Sequence, residues 1–161
     1  MGFLTQSDLY RKCGFDFGLL SDRVILVNIN LKVNYSGDII SKILIVEDNQ
    51  QNALLMKRVL EARNHQILQA EDGESGLQIA VEEAPDVILV DLGLPDIDGQ
   101  TLVALIKRVP ELQDIPMIAV TAWPEDTARE MAEAYGCDGF ISKPINTRTF
   151  PDQVAQFISN G

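Results

Sequence analysis

The feature that most constrains this chain is an alternation. From Lys42 onward, short aliphatic runs take turns with stretches whose apolar residues recur at helical spacing. Ile43-Leu44-Ile45-Val46 is the first run, Val87-Ile88-Leu89-Val90 the third, and Ile115 to Val120 the fourth. Each is nearly continuous, as expected of a parallel strand covered on both faces. Gln66 to Ala70 and Gly139 to Ser142 read as two shorter strands. Between them, Leu55, Val59 and Ala62 make a helical stripe that Met56 and Leu60 widen, with Asn49 as its cap. A second helix follows the turn signal Asp72-Gly73 and runs to about Glu83, where Pro85 stops it. A third opens at Asp98-Gly99 and turns Leu102, Leu105, Ile106 and Val109 inward. A fourth follows Pro124, with Ala128, Met131, Ala132 and Tyr135 on one face. The last carries Phe150, Val154, Phe157 and Ile158. Five βα units joined by right-handed crossovers predict an open α/β sandwich over residues 42–161.

Residues 1–41 do not continue this pattern. Val27, Ile29, Leu31, Val33 and Tyr35 alternate with polar neighbours, which is strand periodicity, and Ser36-Gly37-Asp38 reads as a turn or linker. An edge strand, a loosely docked or disordered segment, and a start codon set too far upstream fit this stretch equally well. The segment is electrically neutral, so the whole formal charge of −11 lies after residue 41. Such acidity argues against direct nucleic-acid binding, which needs clustered Lys and Arg, and against docking on an anionic membrane. No apolar run approaches the ~20 residues of a membrane span, and no signal-peptide pattern opens the chain. Cys13 and Cys137 lack metal spacing and suggest no disulfide framework, so a cytoplasmic setting is expected. The chain ends just after the fifth helix, so no fused output domain is expected.

In an open parallel sheet, chemistry gathers at the carboxyl ends of the strands. Those ends carry Glu47-Asp48, Asp91, Thr121-Ala122 and Lys143-Pro144. Three carboxylates, a hydroxyl and an ammonium therefore converge on one edge. Clustered carboxylates repel one another, and a hard divalent cation such as Mg²⁺ relieves that repulsion. A metal-bound carboxylate beside a lysine suits phosphoryl transfer, with the carboxylate oxygen as nucleophile.

Four segments extend this reading. Lys42-Ile43-Leu44-Ile45-Val46-Glu47-Asp48-Asn49 resembles the opening of bacterial two-component receiver domains. Asp91-Leu92-Gly93-Leu94-Pro95-Asp96-Ile97-Asp98-Gly99 is similar to the segment that follows their phosphoacceptor. Ala119-Val120-Thr121-Ala122 and Gly139-Phe140-Ile141-Ser142-Lys143-Pro144 resemble their last two signatures. The resemblance spans residues 42–160 and implies a flavodoxin-like, doubly wound sheet of strand order 2-1-3-4-5. It implies that Asp91 accepts a phosphoryl group from a histidine kinase or phosphotransfer protein. Asp48, Asp91 and the Gly93 carbonyl would hold Mg²⁺, with Glu47 acting through a water. Lys143 would pair with the phosphoryl oxygens, and the Lys143-Pro144 bond would be cis. Thr121 and then Phe140 would move on phosphorylation, altering a partner surface on the fourth helix, fifth strand and fifth helix. Phe140 lacks a hydroxyl that a tyrosine would bring. Leu94 stands for a common methionine. The bulk of Trp123 is expected to shield the phosphoryl group from water.

Competing readings remain on the residues. A phosphorylation-independent interaction module and a receiver fragment of a hybrid kinase share the same motifs. An α/β phosphohydrolase is opposed by the lack of a Gly-rich phosphate loop after the first strand, and by the lack of a second Asp two residues beyond Asp91. No turnover of an external substrate is expected. His65 is expected in an exposed loop, Cys137 as a small buried filler, and Met117 and Met131 in the core. Asp72, Glu74, Glu82 and Glu83 are expected on a solvated helix face.

Overall fold

The computed structural model describes residues 25–26, 32–33 and 39–158. Among the described residues, three two-residue strands come first: β1 (Ile25–Leu26), β2 (Lys32–Val33) and β3 (Ile39–Ile40). They pair antiparallel, Ile25 opposite Val33 and Lys32 opposite Ile40, as a sheet of their own. Of the alternating stretch 27–35, Lys32–Val33 is described; the remainder lies outside the described residues.

The main sheet holds β4 (Lys42–Val46), β5 (Gln66–Ala70), β6 (Val87–Asp91), β7 (Met117–Thr121) and β8 (Gly139–Ser142). All neighbours are parallel, in the order β5-β4-β6-β7-β8. This is the doubly wound order expected. Five helices connect and cover the sheet: α1 (Gln50–Glu61), α2 (Gly73–Glu83), α3 (Gly99–Lys107), α4 (Glu125–Tyr135) and α5 (Phe150–Ile158).

The aliphatic runs serve two cores at once, because successive strand residues point to opposite faces. Ile43, Ile45, Val87, Leu89, Ile118 and Val120 pack with Met56 and Leu60 of α1 and Phe150 and Val154 of α5. Leu44, Val46, Ile88, Val90, Met117 and Ala119 pack against Ala80 of α2, Leu102 and Ile106 of α3, and Ala132 of α4. Residues 43–46 are wholly buried, which is why no polar alternation interrupts them.

Local chemistry sets the helix ends. Asn49 accepts from the N–H groups of Gln51 and Asn52, as its position before α1 suggests. Asp98 does the same for Thr101 at the start of α3. Asp72 caps α2 through Ser75 N–H, so it is a cap and not part of a solvated face. Glu83 is tied to Lys42 Nζ at 3.0 Å, and Glu82 accepts from Gln78. The buried face of α1 is Ala53, Met56 and Leu60, while Leu55 is exposed and Ala62 lies beyond the helix end. Two apolar stripes run through this helix, and packing of Met56 and Leu60 against the sheet selects between them. The third helix stops at Lys107, so Val109 reaches the core from a turn. Residues Ile115 and Pro116 precede the fourth strand and do not open it; that strand runs on to include Thr121.

At the amino ends of β7 and β8, Asp138 acts as a clasp. Its carboxylate accepts from Met117 N–H at 2.8 Å and pairs with Lys107 Nζ at 3.3 Å. Its own N–H donates to Met117 O at 2.8 Å. His65 is half-buried, its Nδ1 3.3 Å from the donating N–H of Ser41, so it is not the exposed loop residue its surroundings suggested. Met131 is half-buried where Met117 is fully buried.

Candidate functional site

The carboxyl ends of β4, β6, β7 and β8 lie side by side. Strand pairing sets their level: Asp91 stands opposite Val120, and Thr121 opposite Ser142. The ladder runs one residue past β4, where Glu47 N–H donates to Ala70 O, and one past β8, where Lys143 N–H donates to Thr121 O at 2.7 Å. These extensions deliver Glu47 and Lys143 to the edge where Asp91 ends its strand.

Lys143 Nζ stands 2.6 Å from Asp91 Oδ2 and 2.7 Å from Glu47 Oε2. Asp91 Oδ1 accepts from Gly93 N–H at 2.8 Å, so both of its oxygens are engaged. Glu47 is 2% exposed. Its Oε1 accepts from Asn52 Nδ2 at 3.2 Å and, more weakly, from Asn49 N–H at 3.4 Å. Its Oε2 is buried, and the Lys143 ammonium 2.7 Å away is its charged partner. Burial pulls the Lys143 ammonium down, but the contacts and charges of Asp91 and Glu47 outweigh that and hold its pKa above the ordinary lysine value.

Asp48 is exposed and completes an acidic triad. Glu47, Asp48 and Asp91 each offer an oxygen, all within 4.8 Å of one another. Three ionised carboxylates against one ammonium leave two negative charges. That surplus and the all-oxygen donor set fit a hard divalent cation. Thr121 is 2% exposed, and its Oγ1 accepts from Trp123 N–H at 3.2 Å. The Lys143–Pro144 peptide is cis, as expected. Phe140 sits on β8, half-buried against the core on the α4 side, with the Arg129 guanidinium 5.4 Å from its ring centre. Arg129 is itself paired with Glu125 at 3.1 Å.

Two polar residues of this region escaped the reading of the sequence. Asn52 orients Glu47 from the first turn of α1. Asp96 accepts from the N–H groups of Gly73, at 2.9 Å and 3.1 Å, and of Glu74, at 3.3 Å. Desolvation pushes the Asp96 carboxyl up, but the backbone N–H groups of Gly73, Ile97, Asp96 itself and Glu74 outweigh it and hold its pKa below the usual aspartate value. The polar run Asn49-Gln50-Gln51-Asn52 was a signal for the first; nothing local marked the second.

A five-stranded sheet in this order, with acidic residues, a threonine and a lysine at its carboxyl edge, defines the class of receiver-type signalling domains. Residues 43–155 match the response regulator receiver domain family, and the chain belongs to that family. Phosphorylation and Mg²⁺ binding are characteristic of it. The polar-differentiation response regulator DivK of Brucella anthropi is 34% identical over 118 residues, covering 73% of this chain and 96% of DivK. A CheY-like response regulator receiver domain protein from Methanospirillum hungatei superposes with a TM-score of 0.67 at 25% identity, over 75% of this chain and 95% of that one. The receiver domain of a sensor histidine kinase from Pseudomonas aeruginosa, crystallised with a magnesium ion coordinated in its active-site cleft, gives 0.69 at 26% identity, over 74% and 98%. Among the described residues, no helix is long and apolar enough to cross a membrane.

Proposed function

We propose that this chain is a phosphorylation-dependent switch of a cytoplasmic phosphorelay, with residues 42–161 as the receiver and Asp91 as its phosphoacceptor. The observation that carries the reading is the 2.6 Å contact between Lys143 Nζ and Asp91 Oδ2 inside the acidic triad. An oxygen of Asp91 attacks phosphorus while the P–N bond to a donor histidine breaks, and the released imidazole nitrogen takes up a proton. Lys143 offers its charge to the phosphoryl oxygens and the Thr121 hydroxyl donates to one of them. Asp48, Asp91 and the Gly93 carbonyl would hold Mg²⁺, with Glu47 behind a water. When bound, the cation neutralises charge on the phosphoryl oxygens. The chain catalyses its own phosphorylation and turns over no external substrate.

The output follows from what lies beside β8. A groove of about 270 Å³ runs between α4, β8 and α5, walled by Arg129, Glu133, Cys137, Phe140 and Phe157. Movement of Thr121 toward a phosphoryl group frees space for the Phe140 ring, which redraws this groove for a protein target. The test is intact-mass measurement after incubation with acetyl phosphate and Mg²⁺, beside an Asp91→Asn variant. One added phosphoryl group in the wild type alone, abolished by EDTA, is expected. An absent adduct together with absent Mg²⁺ binding would instead make the chain a phosphorylation-independent interaction module.

A further inference from the structure

The loop of residues 92–98 leaves the phosphoacceptor and reaches α3 in seven residues. Its ends are pinned. Gly93 N–H is held by Asp91 Oδ1, and Asp98 caps α3 by accepting from Thr101 N–H at 2.8 Å and Thr101 Oγ1 at 3.0 Å. Gly99 presses against the loop, since a Cβ there would stand 2.7 Å from Leu92 Cα. The middle is held differently. The start of α2 exposes N–H groups that the helix itself does not use. Asp72 takes that of Ser75 from within the same segment. Asp96 takes those of Gly73 and Glu74 from across the edge of the sheet. The positive end of α2 favours this carboxylate further. The approach is close because residue 73 is glycine: a Cβ there would lie 3.1 Å from Ile97 Cβ and 3.4 Å from Asp96 Oδ2.

We infer that Asp96 is a positioning residue for phosphoryl transfer, tying the loop after Asp91 to the start of α2 and so setting where the Gly93 carbonyl stands. The inference rests on the receiver reading above, in which that carbonyl is a cation ligand. Leu92 and Leu94 are buried and Ile97 packs against the same core, so apolar contacts hold the loop to the sheet while Asp96 supplies its hydrogen bonds to α2. Without Asp96, residues 93–97 keep their ends and the apolar contacts of Leu94 and Ile97 but lose their hydrogen bonds to α2. The Gly93 carbonyl then samples positions that the cation must pay to select, which lowers cation affinity and leaves the chemistry at Asp91 intact.

The experiment titrates the full chain with Mg²⁺ by calorimetry and measures acetyl-phosphate phosphorylation across Mg²⁺ concentrations. In Asp96→Ala, half-saturating Mg²⁺ is expected to rise about tenfold, the low end for a residue acting through a ligand. The rate at saturating Mg²⁺ is expected to return to within about twofold of wild type. Asp96→Asn keeps an acceptor oxygen and is expected to stay near wild type. Asp72→Ala removes the other cap of α2 without cutting the tie; it is expected to lower thermal stability and leave half-saturation unchanged. Equal weakening in Asp96→Ala and Asp96→Asn would assign the effect to charge alone and overturn the inference. So would an unchanged Asp96→Ala, or an Asp72→Ala that weakens Mg²⁺ equally. Asp96→Ser, too short to reach Gly73, replaces the alanine variant if that fails to fold. A wild type that takes neither Mg²⁺ nor phosphoryl removes the receiver reading itself, an outcome distinct from all of these.

Discussion

Replacing Lys143 by methionine keeps the length of the side chain and removes an ammonium that stands 2.6 Å from Asp91 and 2.7 Å from Glu47. The two carboxylates are left facing each other, with Asp48 alongside. Breaking a buried ion pair while one charge remains costs ~3–5 kcal/mol. The side chains of Lys143 and Asp91 are 14% and 12% exposed, so water screens part of this and brings the cost below that range, to about 2–3 kcal/mol. For a domain of this size that is a fall in Tm of roughly 10 °C. Scanning calorimetry in EDTA reads it directly. Mg²⁺ should then stabilise the variant more than the wild type, because a cation supplies the charge that the lysine gave. Glu47→Gln in the same background should recover part of the loss, since glutamine keeps the bond to Asn52 without the buried charge. A Tm within about 2 °C of wild type in EDTA would refute the reasoning, as it would mean less than about 1 kcal/mol was at stake. A Mg²⁺-induced gain no larger than that of wild type would refute it too.

Two further outcomes are expected. On the proposed reading, with the bulk of Trp123 shielding the phosphoryl group from water, Trp123→Ala should lose its aspartyl phosphate severalfold faster; an unchanged decay, followed by mass spectrometry, removes that role. Burial, then the neighbouring Asp138 carboxylate, pushes the Cys137 thiol up to about 11 against a smaller pull from Lys107. The reactive thiolate is therefore scarce at neutral pH and grows as pH rises toward that value. In a Cys13→Ser background, iodoacetamide labelling of Cys137 should climb roughly tenfold per pH unit to about pH 10, and a plateau near pH 8.5, the ordinary cysteine value, would refute it.

The parts of this molecule that were legible in its sequence are those where one residue type has one use. An aliphatic run of four has nowhere to go but between two helical layers, and β4 and β6 lie there. A carboxylate at the end of such a run must face the open edge, so Glu47, Asp48 and Asp91 announced their meeting. The α1 face was less legible, because Leu54 and Leu55 are as apolar as Met56 and Leu60, and only docking chose between them. Asp96 was illegible for another reason. Its partners lie more than twenty residues away on α2, and which aspartate of Asp96-Ile97-Asp98 would cap which helix depends on the path of the loop. Asp72 failed likewise: the same side chain serves a solvated face or a cap, and the helix start decides. Residues beyond the described ones leave the alternating stretch 27–35 as it was read.

The Asp138 clasp has a consequence at the opposite end of its strand. On β8, Ile141 faces the core shared by α1 and α5, and Phe140 faces the core beneath α4. A slip of one residue against β7 would exchange them and carry Lys143 about 3.3 Å along the sheet. Asp138 forbids that slip by grasping Met117 from both its backbone and its side chain. The strand thus behaves as a ruler with its zero mark at Asp138, and the reach of Lys143 to Asp91 is a length read off at the far end.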